Sequence, residues 1–269
     1  MQKPIAGGPQ PSASPDGDAL RRRAVALAYG GGCHAVFGLG VGAMMLAMFF
    51  GMSRSLGPFE GPWRWLANAA LIAQFAVGHS WLLTAQGRRL LRRLAPEPYG
   101  ETLATTTYAT IAAAQVGLLF AFWSPSGVVW WAAEGWALYA LTGAYLLAWA
   151  LLMKSMLDAG IELQSGLLGW RALFLGRKPR FPDMPTTGLF RYTRQPIYLT
   201  FTLTLWTPPV WTPDQLALAV GLTGYCLIGP LFKERRFERM FGDRFEAYRA
   251  RTPYWLPIPK RPAARPPRS

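Results

Sequence analysis

Four stretches of the chain, Ala24–Met52, Trp65–Ala85, Leu103–Trp123 and Val128–Met153, are apolar almost throughout. Each is close to or longer than the roughly 20 residues that an α-helix needs to cross the hydrocarbon core of a bilayer. Inside lipid every backbone N–H and C=O must find its partner within the protein, so runs of this length are read as membrane-spanning helices. The first follows Arg21-Arg22-Arg23, which imitates the basic start of a cleavable signal. Its length exceeds the roughly 7–15 residues of a signal's apolar core, so it reads as a retained helix. Two further segments, Tyr192–Trp206 and Asp214–Phe232, flank Thr207-Pro208-Pro209-Val210-Trp211-Thr212-Pro213, whose prolines must break a helix. The expected fold is therefore an all-α polytopic bundle with about six crossings, the last two forming a C-terminal helical hairpin.

Charge gives this bundle a direction. The chain carries a formal net charge of +14, yet only 16% of its residues are charged, against roughly 25% in an average soluble domain. The Lys and Arg residues lie between apolar runs, and no nucleic-acid-binding module is recognisable, which argues against a nucleic-acid partner and for a lipid bilayer. Arg88, Arg89, Arg92 and Arg93 follow the second run, and Lys154, Arg171, Arg177, Lys178 and Arg180 follow the fourth, whereas the opposite connections hold only Arg54 and Arg64. This bias places both termini on the cytoplasmic side. Residues 1–23, rich in Pro, Gly, Ser and Asp, are expected to be a loose tail, 24–256 the membrane domain and 257–269 a basic Pro-rich tail. Cys33 and Cys226 sit inside apolar runs and read as packing residues. His34 and His79 belong to different spans and have no second nitrogen or sulfur at helical spacing, so no metal is expected.

Polar chemistry concentrates where the hairpin meets the cytoplasm. On entry, Gly188-Leu189-Phe190-Arg191-Tyr192-Thr193-Arg194-Gln195-Pro196-Ile197-Tyr198 combines a turn glycine, fixed cations for a carboxylate, a proline suited to a helix's first turn and an amphipathic ring. On exit, Phe232-Lys233-Glu234-Arg235-Arg236 is followed by a helical stretch to Phe241, a turn at Gly242, and a second short amphipathic helix, Arg244–Arg251, ending near Pro253. A hairpin returns its ends to one place, so the two segments should meet. Glu234 there can accept hydrogen bonds from hydroxyls or an ammonium. Arginines beside membrane helices are also common as snorkelling anchors, and His79 suits packing about as well as a substrate pocket.

The entry signature, the hairpin, Glu234-Arg235, Phe241-Gly242 through Tyr248 and the Pro253–Pro257 ending resemble the C-terminal region of the isoprenylcysteine carboxyl methyltransferase and phospholipid methyltransferase superfamily. Gly78-His79-Ser80, Pro96-Glu97-Pro98, Phe122-Trp123 and Leu175-Gly176-Arg177-Lys178-Pro179 narrow this to the branch of methanethiol S-methyltransferases and nitrite-reductase-associated membrane proteins, over about Ala24–Pro257. The resemblance implies a bacterial inner-membrane enzyme that uses S-adenosylmethionine to methylate a small or lipid-borne thiol. Gly188, Arg194, Gln195, Pro196, Tyr198 and Glu234 would hold the cofactor, Glu234 and Arg235 would serve catalysis, and His79 would touch the substrate. The sequence departs from the family at two positions: Gln195 stands where a His is usual, and Lys233 where the first Glu of a Glu-Glu pair is usual. A non-catalytic membrane relative, acting in assembly or as a carrier, is the alternative those departures suggest. An NADPH-dependent membrane reductase with a similar hairpin is a third. Oligomeric state and the identity of the acceptor are not legible in the sequence.

Overall fold

The computed structural model describes residues 15–258. Its long helices are α1 (Pro15–Phe49), α2 (Gly61–Leu82), α4 (Gly100–Ala121), α5 (Gly135–Asp158) and α9 (Pro213–Phe241). Shorter ones are α3 (Ala85–Leu94), α6 (Ile161–Gln164), α7 (Leu167–Phe174), α8 (Pro196–Trp206) and α10 (Asp243–Arg251). Two-residue strands β1 (Trp131–Ala132) and β2 (Val210–Trp211) pair antiparallel. The architecture is the all-α polytopic bundle that the apolar runs predict.

Fewer helices are long enough to cross on their own than the six crossings expected. Helices α1, α4, α5 and α9 are each long and apolar enough to span, whereas α2 and α3, bent by 92° to each other, meet that test only as a joined pair. The expected Tyr192–Trp206 crossing holds only half a helix: α8 has eleven residues, a rise of about 16 Å against a hydrocarbon core of about 30 Å. Beyond Trp206 the chain continues extended through Pro208 and Pro209 until Val210 and Trp211 pair with Ala132 and Trp131. Such a break is tolerable at membrane depth only where the freed backbone is satisfied by protein. Gln215, fully buried, donates from Nε2 to the Leu205 carbonyl at 2.8 Å. Thr212 caps α9 by accepting from the Gln215 amide at 2.9 Å and donates to the Gly51 carbonyl.

Helix α1 begins at Pro15, earlier than the Ala24 start read from hydropathy. Asp16 and Asp18 in its first turn complement the positive end of the helix dipole, which extends the helix into part of the expected tail. Residues 1–14 and 259–269, the remainder of the expected tails, lie outside the described residues.

Small residues let the helices close up, as bundles in lipid require. A methyl group on Gly40 of α1 would sit 2.5 Å from the Ala113 carbonyl oxygen of α4, so these helices cross almost backbone to backbone. Met44, Met48, Phe120, Trp123, Tyr145, Leu205 and Leu222 fill the core beside this crossing. At the end of the bundle holding β1 and β2, buried Asp214 accepts from Trp123 Nε1 at 3.0 Å and from the Ser126 amide at 2.8 Å, tying α9 to the α4–α5 connection. Exposed Trp63, Trp65, Trp130, Trp131 and Trp136 ring the same end, the placement expected of an interfacial aromatic belt. At the opposite end, α3 turns away from α2 and carries Arg88, Arg89, Arg92 and Arg93 on an amphipathic helix suited to the other interface. Glu134 is exposed at the N-cap of α5, an interfacial position rather than a central one.

Candidate functional site

The signature segment enters through a tight turn. Gly188 adopts φ 59°, and a Cβ there would come 2.3 Å from the Asp158 carboxylate. That carboxylate instead accepts the Leu189 amide at 2.8 Å and pairs with Lys154, starting a 3-10 turn over Gly188–Arg191. The backbone next docks on the C-terminal segment, the Arg194 amide donating to the Pro253 carbonyl at 2.9 Å. Gln195 is the N-cap residue of α8, and Pro196 occupies its first turn, where a missing N–H costs nothing. On the other side α9 leaves the membrane without interruption as far as Phe241, so the expected helix after Glu234 is the end of α9 itself. Gly242, at φ 49°, turns the chain into α10, where Phe245 and Tyr248 pack with Met184, Phe237 and Phe241. Burial pushes the Tyr248 phenol well above its ordinary pKa, so it stays protonated and donates to the Phe190 carbonyl at 2.6 Å. Arg244 donates to Asp183 at 2.6 Å and holds that exposed carboxyl below its usual range.

The two ends of the hairpin meet at Glu234. Arg194 grips its carboxylate with both edges of the guanidinium, Nε to Oε1 at 2.8 Å and Nη2 to Oε2 at 3.1 Å. Nη1 donates to the carbonyls of Thr252 at 2.8 Å and Arg249 at 3.2 Å. Four of the five N–H donors of Arg194 are thus committed within the protein. The pair is almost dry, with the side chains only 8% and 11% exposed. Gln195 adds a third donor to Glu234, Nε2 to Oε1 at 2.7 Å. The ring of Tyr254 lies 5.5 Å from the guanidinium carbon of Arg194.

The two departures from the family signature touch each other. Lys233 Nζ donates to Gln195 Oε1 at 2.9 Å, so the amide bridges a cation on one side and the Glu234 carboxylate on the other. An amide is the side chain that can do both at once, since it carries an acceptor oxygen and a donor nitrogen. Phe190, Tyr198 and Phe237 surround the Lys233 ammonium, with ring centres 5.7, 5.8 and 5.4 Å away. Positions 195 and 233 are thus joined in one polar contact.

Deeper along α9 the same face carries Tyr225, Gly229, Lys233 and Arg236, at the three- and four-residue spacing that aligns side chains on a helix. Tyr198 and Tyr225 both lie over Gly229. Phe75 contacts the rings of Tyr225 and His79 at 5.8 and 5.4 Å, and the Tyr108 hydroxyl is 2.8 Å from His79 Nε2. Arg236 follows Lys233 by three residues and so shares this face of the helix. Side chains from α2, α4, α8 and α9 therefore pack into an aromatic and hydroxyl-rich cluster next to the Arg194–Glu234 clamp. Gly78 makes room for this arrangement: a Cβ there would strike the Gln115 amide, which donates to the Gln74 carbonyl at 2.8 Å while Gln74 donates to the Gln115 carbonyl at 3.0 Å.

Of the residues singled out in the sequence, Arg194, Gln195, Tyr198 and Glu234 converge, and His79 lies in the adjoining cluster. Gly188 and Pro196 shape the backbone around them and present no functional group. Arg235 does not join them; it is exposed and lies over Phe232, because it is rotated by roughly 200° from Lys233 on the helix. Arg236 takes the inward place that Arg235 was expected to fill. The spacing of 225, 229, 233 and 236 carries that signal in the sequence.

A polytopic α-helical bundle with a buried, charge-paired cluster at the mouth of its last hairpin defines a class of membrane protein with one polar site near one interface. Comparison with known proteins narrows this. The chain is 28% identical over 201 residues to the methanethiol S-methyltransferase of Mycobacterium tuberculosis, covering 73% of this chain and 79% of that one. It is 28% identical over 201 residues to the methanethiol S-methyltransferase of a Pseudomonas species, covering 73% and 74%. A third relative, methanethiol S-methyltransferase 2 of Bradyrhizobium diazoefficiens, is 28% identical over 197 residues, covering 71% and 73%. No family model and no solved structure matches the chain. The chain is thus similar over most of its length to proteins named methanethiol S-methyltransferase, the resemblance that its motifs carry. The enzyme class read from the sequence, methyltransferase, is that of these relatives.

Proposed function

We propose that the protein is an S-adenosylmethionine-dependent methyltransferase of the inner membrane that methylates a small thiol, with its site and both termini facing the cytoplasm. The observation that carries this reading is the junction of the Arg194–Glu234–Gln195 cluster with the packed His79–Tyr108–Tyr198–Tyr225 cluster, which we take as the wall of the acceptor chamber, in a chain similar to enzymes named for that activity.

The donor set fits such a cofactor. Glu234 Oε2 accepts a single protein hydrogen bond and keeps a lone pair for a ribose hydroxyl or an ammonium. Lys233, with one of its three donors used by Gln195, can meet a carboxylate. The faces of Tyr198 and Tyr225 suit a soft cation. When bound, S-adenosylmethionine supplies an electrophilic methyl group on a positively charged sulfur. The protein's own part is to align, exclude water and favour the thiolate. Arg194 is a positioning residue, since its donors are committed to Glu234 and to the chain ending that closes the site. Arg236 lowers the pKa of a thiol held in the chamber by favouring its anion. His79 and Tyr108 offer polar contacts in an otherwise apolar wall. No base of matched pKa is needed once the thiolate is present, because alignment of nucleophile, methyl and sulfur carries most of the barrier reduction.

Calorimetric titration of the detergent-purified protein with S-adenosylmethionine and with NADPH separates this reading from a reductase. Heat of binding for the first and none for the second is expected; the reverse would overturn the assignment. A non-catalytic relative, which the Gln195 and Lys233 departures favour, would bind S-adenosylmethionine or nothing and transfer no methyl group to any thiol.

A further inference from the structure

The connection between α7 and the signature turn carries charge that the proposed reaction does not use. Arg171, Arg177, Lys178 and Arg180 line a small cavity with Leu168 and Ala172, and the carboxylate there, Glu162, is paired with Arg171. Arg177, Lys178 and Arg180 form no ion pair among the described residues. A fifth cation comes from another element. The guanidinium of Arg22, near the start of α1, lies directly on Gly176, whose φ of 66° and missing Cβ permit the approach; a Cβ would meet Nη1 at 2.7 Å. Arg22 Nε is buried with no hydrogen-bond partner.

Four cations of α7 and the following loop thus share the cavity with one carboxylate, and a fifth, from α1, lies against the loop at Gly176. Like charges brought this close repel, and the arrangement gains from a multivalent anion. Leu175 and Phe181, the exposed apolar residues that bracket Gly176–Arg180, distinguish between anion sources. A free anion has no use for them, and salt weakens its attraction to so exposed a cluster. A lipid brings its phosphate to the cations and its acyl chains to the apolar side chains, the arrangement by which basic pockets at the cytoplasmic ends of helices hold anionic headgroups. We propose that this cavity binds the phosphate of an anionic phospholipid of the inner leaflet and anchors α1 and the α7 loop, and thereby the entry to the hairpin, at the membrane surface.

Native mass spectrometry of the full chain in detergent, titrated with phosphatidylglycerol or phosphatidylcholine, tests this. Bound phosphatidylglycerol is expected to exceed phosphatidylcholine at least fivefold, and the triple change Arg177→Gln, Lys178→Gln, Arg180→Gln to abolish that preference. The charge-matched control Arg88→Gln, Arg89→Gln, Arg93→Gln on α3 should keep it, and millimolar inorganic phosphate should not displace the lipid. Equal binding of the two lipids, preference retained by the triple variant, or preference lost equally in the control would overturn the proposal. Displacement by inorganic phosphate would overturn the lipid assignment in favour of a free anion. Melting curves of both variants within about 2 °C of the parent exclude misfolding as the cause.

Discussion

Replacing Glu234 with Ala removes the acceptor at which the two ends of the hairpin meet. Arg194 would be left 8% exposed, with its Nε and Nη2 donors unpaired and only two backbone carbonyls remaining. Gln195 would lose the partner of its Nε2 as well. Stripping one member from a buried ion pair costs about 3–5 kcal/mol, because the surviving charge stays desolvated. For a chain of this size each kcal/mol moves the melting temperature by roughly 2–4 °C, so the variant should melt on the order of 10 °C lower. The assay is differential scanning fluorimetry in detergent, with S-adenosylmethionine present and absent. Glu234→Gln keeps the shape and one acceptor oxygen, so it should melt between the two, having exchanged a charge-assisted fork for a single neutral hydrogen bond of about 1 kcal/mol. Stabilisation by S-adenosylmethionine should be lost in both variants. A shift below about 2 °C in Glu234→Ala, with ligand stabilisation intact, would refute the inference that this carboxylate is both the structural junction and a cofactor contact.

The Gln195–Lys233 contact predicts compensation: Lys233→Glu alone sets an acceptor against Gln195 Oε1 and should cost about 1–3 kcal/mol, while Lys233→Glu with Gln195→His should recover at least about 1 kcal/mol of it in a double-mutant cycle. Additive melting shifts would show that the two positions are not coupled. Gly188→Ala should destabilise by about 2–4 kcal/mol, since a side chain at φ 59° is strained and its Cβ displaces the Asp158 carboxylate from the Leu189 amide; unchanged thermal stability would contradict that geometry. The Asp183–Arg244 contact has a pH signature. Because the folded carboxyl titrates below its ordinary value, its contribution is present above the usual carboxylate range and disappears as pH falls through the lowered value. Protection of the Met184 amide, relative to its intrinsic exchange rate at each pH, should therefore fall in acid in the parent and show no such step in Asp183→Asn.

The hydropathy of the chain made the long helices legible because a run near 20 residues has few other solutions in lipid. The same signal overestimates the helix at α8, where Tyr192–Trp206 is apolar but the helix starts only at Pro196 and stops before Pro208, the remainder of the passage being held by Gln215 and β1. No periodicity announces a glutamine that caps a broken helix ten residues away. The start of α1 was misplaced for the opposite reason: polar Asp16 and Asp18 lower the local hydropathy while stabilising the helix end. At the site, Arg194, Gln195, Tyr198 and Glu234 stood out because a hairpin must bring its ends together. Arg235 was favoured over Arg236 by adjacency to Glu234, although the stripe Tyr225, Gly229, Lys233 and Arg236 marks the inward face. The contact between Gln195 and Lys233 was beyond reach, since a distance of 38 residues in sequence says nothing about which side chains touch.

The central claim is that methyl transfer takes place in the chamber bounded by Arg236, His79 and Tyr198. Its most direct test is the appearance of volatile dimethyl sulfide when purified protein in liposomes receives methyl-labelled S-adenosylmethionine and methanethiol. Labelled product from the parent is expected, with at least a tenfold loss in Arg236→Gln, as for removal of a transition-state charge contact, and less than a twofold change in Arg235→Gln. Absence of labelled product from a parent protein that binds S-adenosylmethionine, or equal losses in the two arginine variants, would contradict the account.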